Sequence, residues 1–322
     1  MTQGHDHEHG HGHAHSHAHG QGHGHSHHGL SAVQSLSWAL GLTAVFFLVE
    51  LVGGWWTGSL ALISDALHMG FDLTALGLGL FAAQVGRRPA DPKRTFGYQR
   101  VEVLAALFNG VTLILITGII LREAYARYFA PQDIKAKEMV AIAVIGFLSN
   151  LAAGAVLYRS SRENINLRGA FLHVLSDALG SLGAAIAGVI VLETGWRQAD
   201  PLVSLLICLG IVVTSYWLVR DSVHILLEGT PSHLELAQIR AALSALPGVR
   251  SVHDLHLWSV TRGTESMSGH VVVRADEHTA ATLRAGAKLL KERFGITHVT
   301  LQVETSGQPE CEDTVPPPAD PE

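Results

Sequence analysis

Cysteine is almost missing from this chain: Cys208 and Cys311 are the two in 322 residues, and they lie far apart. That excludes a disulfide scaffold and a cysteine zinc cluster. Charge is scarce as well. Asp, Glu, Lys and Arg make up 16% of the residues, against about 25% in an ordinary soluble domain, so the chain cannot keep its whole surface in water. No Gly-x-x-x-x-Gly-Lys-Ser/Thr phosphate loop occurs, and there is no second large soluble region to hydrolyse a nucleotide, so any transport runs on ion gradients. Net charge is −6 with histidine neutral. Without a basic footprint, nucleic acid is not expected as a partner. The amino terminus also lacks the Lys/Arg start and early apolar run of a secretory signal.

What is abundant is apolar surface and histidine. Hydrophobic residues reach 48%, mean hydropathy is +0.26, and there are 21 histidines. Twelve of them fall in residues 1–29, interleaved with Gly, Ala and Ser. Such a stretch has no apolar period and cannot build a core. Residues 1–31 are therefore expected to form a disordered His-rich cytoplasmic tail that collects metal, since imidazole is a good ligand for Zn, Cu and Ni. Within it, His7-Glu8-His9-Gly10-His11 matches the letters of the zinc-protease motif, but that motif works only on a helix inside a formed site.

From Leu36 to Arg220, apolar runs of near-membrane length alternate with short polar breaks. A span needs roughly 20 apolar residues. Six are read, near 36–56, 60–84, 102–122, 138–158, 169–192 and 200–220, within a transmembrane region of 32–222. A soluble reading would need charged outer faces, which the runs lack. Lys and Arg set the orientation. Arg87, Arg88, Lys93, Arg94, Arg100, Arg159, Arg162, Arg168 and Arg220 share one side, against Arg122, Arg127, Lys135, Lys137 and Arg197 on the other. The bias places both termini in the cytoplasm of a multi-pass protein of the cell membrane.

After Arg220 the composition turns soluble. Residues 234–246 and 278–294 carry helical patterns, while 252–260, 270–273 and 299–303 alternate as strands. The expectation is a membrane all-α six-helix bundle followed by a small α+β domain, α-β-β-α-β, over residues 223–305. A core of about 80 residues is marginal alone, which points to dimer contacts. Residues 306–322, rich in proline and acid, are expected to be disordered.

Two spans hold the chemistry. Span two carries His68 and Asp72; span five carries His173 and Asp177. Residues four apart on a helix share one face. Ionisable groups at membrane depth are costly, at roughly 2.5–3.5 kcal/mol or more, and belong in the bundle interior or a wet cavity. If the pairs converge they supply two imidazole nitrogens and two carboxylate oxygens, a tetrahedral set for Zn²⁺, and the two carboxylates neutralise one divalent ion. Asp65 lies on the same face as Asp72, so a set using Asp65 in its place is a rival. Protons compete with metal for these ligands, which suits metal–proton exchange. Gly53, Gly54, Gly77, Gly79, Gly180, Gly183 and Gly188 allow close helix approach. In the soluble region, His253, His256, His270, His278 and Glu304 form either a second metal site or scattered surface groups. Alternation puts His253 and Leu255 on one sheet face, and Asp254 and His256 on the other.

These residues carry a resemblance. Gly58-Ser59-Leu60-Ala61-Leu62-Ile63-Ser64-Asp65-Ala66, both His-x-x-x-Asp pairs, Phe96-Gly97-Tyr98-Gln99-Arg100, His253-Asp254-Leu255-His256-Leu257-Trp258 and Val299-Thr300-Leu301-Gln302-Val303-Glu304 resemble the cation diffusion facilitators, in particular the bacterial zinc and cobalt–zinc–cadmium efflux type. The resemblance implies a homodimeric, proton-coupled antiporter that exports divalent cations, chiefly Zn²⁺ and alternatively Cd²⁺ or Co²⁺, by alternating access. It implies no enzymatic activity and no permanently bound cofactor, with Zn²⁺ as substrate and regulator. It places the transport site on His68, Asp72, His173 and Asp177. It also gives the carboxy-terminal unit a metallochaperone-like shape, with dimerisation and metal-sensing roles and a regulatory site at His253, His270 and Glu304; His278 and His298 are further candidates. Some members hold metal in the loop after span two with an Asp and two His; here Asp91 stands with Arg94 and Tyr98, so that site is expected to be absent. The alternative is a membrane-bound sensor that binds metal without moving it. An intramembrane metalloenzyme would need an open coordination position, which four ligands do not leave.

Overall fold

The computed structural model describes residues 32–161, 165–274 and 279–305. The His-rich tail, His278 and the acidic carboxy-terminal tail lie outside the described residues.

Six helices form the first part: α1 (Ala32–Thr57), α2 (Leu60–Gly86), α3 (Arg100–Phe129), α4 (Ala136–Ser161), α5 (Ile165–Thr194) and α6 (Ala199–Leu226). Each is long and apolar enough to cross a membrane. Large apolar side chains face outward, among them Leu80, Phe108, Leu115, Ile119 and Leu206. Water would not tolerate so continuous a belt, and lipid does. Trp55, Trp56, Tyr125, Phe129 and Trp196 gather at the end where α1 and α3 finish and α6 begins, as interfacial aromatics do.

The small residues set the spacing inside the bundle. A Cβ on Gly54 would press on the Ile63 backbone at 2.9 Å, and one on Gly188 on the Val140 side chain at 2.7 Å. These close approaches lock α1 to α2 and α4 to α5. Gly77 and Gly79 have open space instead.

At the end where both helices begin, α6 caps α2. Asp200 Oδ1 accepts from the Ser59 hydroxyl at 2.6 Å and the Ala61 amide at 3.2 Å, while Oδ2 accepts from the Leu60 amide at 2.8 Å. Amides at a helix start have no partner within the helix, so this carboxylate, fully buried, answers both needs at once. One turn further in, Ser64 and Ser204 hydroxyls join the same two helices.

The second part comprises α7 (Leu236–Ser244), β1 (Val249–Thr261), β2 (Thr264–Val273), α8 (Thr279–Phe294) and β3 (His298–Thr305). The sheet order is β1-β2-β3, with β1 antiparallel to β2 and β2 parallel to β3. A parallel neighbour needs a crossover, and α8 supplies it. Ile239, Leu243, Leu257, Met267, Val271, Leu290 and Ile296 form the core under the sheet. The α-β-β-α-β order matches the expectation. The second strand starts at Thr264, six residues before its expected start, because Arg262-Gly263 makes a two-residue hairpin with Gly263 at φ +78°.

One expectation fails in β1. His253 and Leu255 do not share a face. Leu255 points into the core with Val252, whereas His253 and Asp254 lie on the other side. Asp254 takes φ +47°, and the pairing slips by one residue between His253 and His256. A β-bulge at this point inserts an extra residue and resets the alternation.

The two parts touch at the end where α2 and α6 finish. Arg100 Nη2 meets Glu228 Oε1 at 2.9 Å, Arg262 lies 3.6 Å from Asp221, and the Phe96 and His298 rings meet edge-on at 5.2 Å.

Candidate metal centre

Helical spacing puts His68 above Asp72 on α2, and His173 above Asp177 on α5. The two helices cross so that the pairs face each other. His68 Nε2 lies 3.6 Å from Asp72 Oδ2 and 3.9 Å from Asp177 Oδ1. His173 Nε2 lies 3.3 Å from Asp72 Oδ2 and 3.7 Å from Asp177 Oδ2. The two rings sit 6.1 Å apart, tilted by 63°. Zinc bonds of about 2.0–2.1 Å at tetrahedral angles set ligand atoms about 3.3–3.4 Å apart, so these four separations lie close to the edges of such a site. His68, Asp72 and Asp177 offer ligand atoms all within 4.8 Å of one another; His173 joins through its contacts to the two carboxylates.

The oxygens are left free for a ligand. Asp72 Oδ2 and both oxygens of Asp177 are buried without a hydrogen-bond partner among the described residues. A buried anion without donors is costly, and a divalent cation placed among these groups would relieve that cost. Exposure is graded across the centre. The side chains of His173 and Asp72 are 44% and 25% exposed, while Asp177 is 1% exposed. His173 and Asp72 stand towards the end where α5 starts and α2 finishes. The centre is thus open on that side and sealed on the other.

Asp65, the rival ligand, is placed elsewhere. Its Oδ2 accepts from the Ser181 hydroxyl at 2.8 Å, one turn along α5 from Asp177, in a pocket it shares with Glu50 and Asn150. Glu50 and Ser181 carried no assignment from the sequence. Glu50 had a signal, as a lone acid inside an apolar run; Ser181 had none.

A second group lies on the sheet. His253 and His270 are paired across β1 and β2, and Glu304 follows on β3. His270 Nδ1 lies 2.8 Å from Glu304 Oε1, His253 Nε2 lies 3.6 Å from Glu304 Oε2, and the rings are 5.2 Å apart. Among the described residues His253 Nε2 and His270 Nδ1 have no hydrogen-bond partner, while Glu304 Oε1 accepts from Gln302 Nε2 at 3.0 Å; the three groups offer ligand atoms within 4.8 Å of one another. The bulge brings Asp254 to this face, with Oδ2 3.8 Å from His270 Nε2 and Oδ1 2.8 Å from His256 Nε2. His298 is turned to Phe96 instead.

In the loop after α2, Asp91 is already occupied. Its Oδ2 accepts from the Tyr98 hydroxyl at 2.7 Å and its Oδ1 from the Lys93 and Arg94 amides at 2.8 Å each. The Tyr98 hydroxyl, and after it the Lys93 amide, hold this carboxyl below the usual carboxylate range. Arg94 lies over the Tyr98 ring.

Comparison with known proteins agrees with this organisation. A family model described as the cation efflux transmembrane domain matches residues 36–227, and one described as the cation efflux protein cytoplasmic domain matches residues 231–306. The chain is 42% identical over 275 residues to the cation efflux system protein CzcD of Alcaligenes sp. (strain CT14), covering 84% of this chain and 86% of that one. It is 42% identical over 273 residues to the zinc transporter ZitB of Escherichia coli (strain K12), covering 84% and 87%. It is 39% identical over 268 residues to the cadmium, cobalt and zinc/H(+)-K(+) antiporter of Bacillus subtilis (strain 168), covering 81% and 85%.

Proposed function

The chain belongs to the cation efflux family, and on that premise we propose that it exports divalent metal cations, chiefly Zn²⁺, in exchange for protons, with His68, Asp72, His173 and Asp177 as the transport ligands. The observation that carries this reading is the set of four nitrogen–oxygen separations of 3.3–3.9 Å contributed by two helices, around carboxylate oxygens that have no hydrogen-bond partner among the described residues. Two carboxylates balance the charge of one divalent ion, so the ion can sit dehydrated inside the bundle. The names of the relatives, a zinc transporter and a cadmium, cobalt and zinc antiporter, support the substrate class. The sensor alternative draws no support from them.

Protons compete with metal at imidazole and carboxylate alike. A centre open to the cytoplasm takes metal at low free concentration; opened to the outside, it exchanges the ion for protons. The exposure gradient supports a cytoplasm-facing arrangement here, with both termini in the cytoplasm. His253, His270 and Glu304 form a regulatory site on the carboxy-terminal unit, through which two copies of the chain meet. The amino-terminal histidines collect the ion.

Zinc and proton flux in proteoliposomes tests the proposal. Zinc accumulation driven by a pH gradient, compared with cadmium and cobalt, is the expected result. Binding without accumulation would favour the sensor instead.

A further inference from the structure

Four buried polar groups adjoin the metal centre on its sealed side: Glu50 of α1, Asp65 of α2, Asn150 of α4 and Ser181 of α5, with Glu50 and Ser181 fully buried and Asp65 1% exposed. Ser181 is one turn beyond Asp177, and Asp65 lies three residues before His68. The hub is Ser181 Oγ. It lies 2.8 Å from Asp65 Oδ2, 3.3 Å from Glu50 Oε1 and 3.5 Å from Asn150 Nδ2.

A count of hydrogens constrains the charge of this group. A serine hydroxyl has one hydrogen and two lone pairs, and an ionised carboxylate can only accept. The hydroxyl therefore satisfies one of the two acids. Its contact with the other is a hydrogen bond only if that acid keeps its proton and donates to Ser181, with Asn150 donating to the remaining lone pair. Among the described residues no Lys or Arg pairs with either acid, and Glu50 Oε2, fully buried, has no partner. Among the described residues, the charged side chain acting on the pair from a neighbouring element is Asp177 on α5; His68 and Asp72 follow further along α2, and α4 contributes neutral Asn150. Two like charges buried side by side do not both persist. The backbone is also cut away to admit the acids: a Cβ on Gly146 would collide with Glu50 Oε1, and one on Gly180 with Asp65 Oδ1.

We propose that Glu50 and Asp65, bridged by Ser181, hold one proton between them and that this proton is one of those exchanged for metal. This rests on the transport reading above. Metal entering the adjoining centre repels the proton; its O–H bond breaks and it leaves through the open side of the centre to water. When the ion departs on the other side, a proton from that side forms the O–H bond again. Nothing else is made or broken.

The test uses the full chain, with zinc alone as ligand. Calorimetry in buffers of different ionisation enthalpy counts the protons released per zinc bound. Proteoliposomes with internal zinc- and pH-reporting dyes count those exchanged per zinc moved. Glu50→Gln is expected to keep zinc affinity within about threefold, to release about one proton fewer per zinc bound, and to exchange about one proton fewer per zinc moved. An unchanged proton count overturns the proposal. So does loss of zinc binding in both Glu50→Gln and Asp65→Asn, which would make these acids ligands. If Glu50→Gln does not fold, Ser181→Ala keeps both acids and removes the bridge; its proton release against pH is expected to shift, and a curve superimposed on the wild type overturns the proposal. Failure of the transport reading is seen separately, as a wild-type protein that moves no zinc while the proton count of the pair is still read by calorimetry.

Discussion

Replacing Asp177 by asparagine keeps the shape of the side chain and removes its charge. Zinc bound by four protein ligands is held by about 10–16 kcal/mol. An equal share is about 2.5–4 kcal/mol per ligand, so the substitution should weaken zinc binding by about 100- to 1,000-fold. The metal-free protein should not suffer. Both Asp177 oxygens are buried without hydrogen-bond partners among the described residues, and the nearest imidazole nitrogens lie 3.7 and 3.9 Å away. A buried charge without hydrogen-bond donors costs free energy that the neutral amide does not, so the metal-free midpoint of thermal unfolding should hold or rise. Calorimetric zinc titration, zinc uptake into proteoliposomes and unfolding followed by tryptophan fluorescence read the three effects. Affinity within threefold of wild type would refute the reasoning. A large fall in the metal-free midpoint with little change in affinity would do so too, because it would make Asp177 a structural group.

Three further outcomes are expected. Glu304→Ala should lower the number of zinc ions bound per chain, measured by elemental analysis after dialysis, while flux at saturating zinc persists; an unchanged count would remove the sheet site. Asp200→Ala takes the cap from the first turn of α2 and leaves buried amides unpaired, which should cost about 1–3 kcal/mol and lower the unfolding midpoint even without metal. Deleting residues 2–31 should reduce uptake at low zinc and leave the maximal rate intact; complete loss of flux would show the tail to be part of the transport path.

The six spans and the order of elements in the soluble unit were legible because apolar runs and alternation report burial directly. The ends were less so. α3 runs to Phe129, past the apolar stretch, because Arg127 is anchored there by Glu123 and by the Gly58 carbonyl. The two His-x-x-x-Asp pairs were legible because ionisable groups stand out in an apolar run. Their spacing could not decide between Asp65 and Asp72, since both share a helix face; what separates them is Ser181, which only the packing of α5 on α2 brings to Asp65. The face assignment of His253 went wrong at a single residue. Alternation assumes extended backbone throughout, and Asp254 in the left-handed region shifts everything before it by one position. That slip is also what turns Asp254 towards His270.

The Asp200 cap fixes α2 at its amino-terminal end, like a lever at its pivot. Towards its other end there is open space beside Gly77 and Gly79. At 1.5 Å per residue, a tilt of about 10° about the cap would carry His68 and Asp72 by only about 2–3 Å, yet carry Gly86 by about 7 Å. The smaller displacement is comparable to the separations of 3.3–3.9 Å between the four candidate ligands. The larger one falls on the end of α2 that leads into the segment bearing Phe96, whose ring rests on His298 of β3, so such a tilt would displace the contact between the two parts more than it displaces the metal centre.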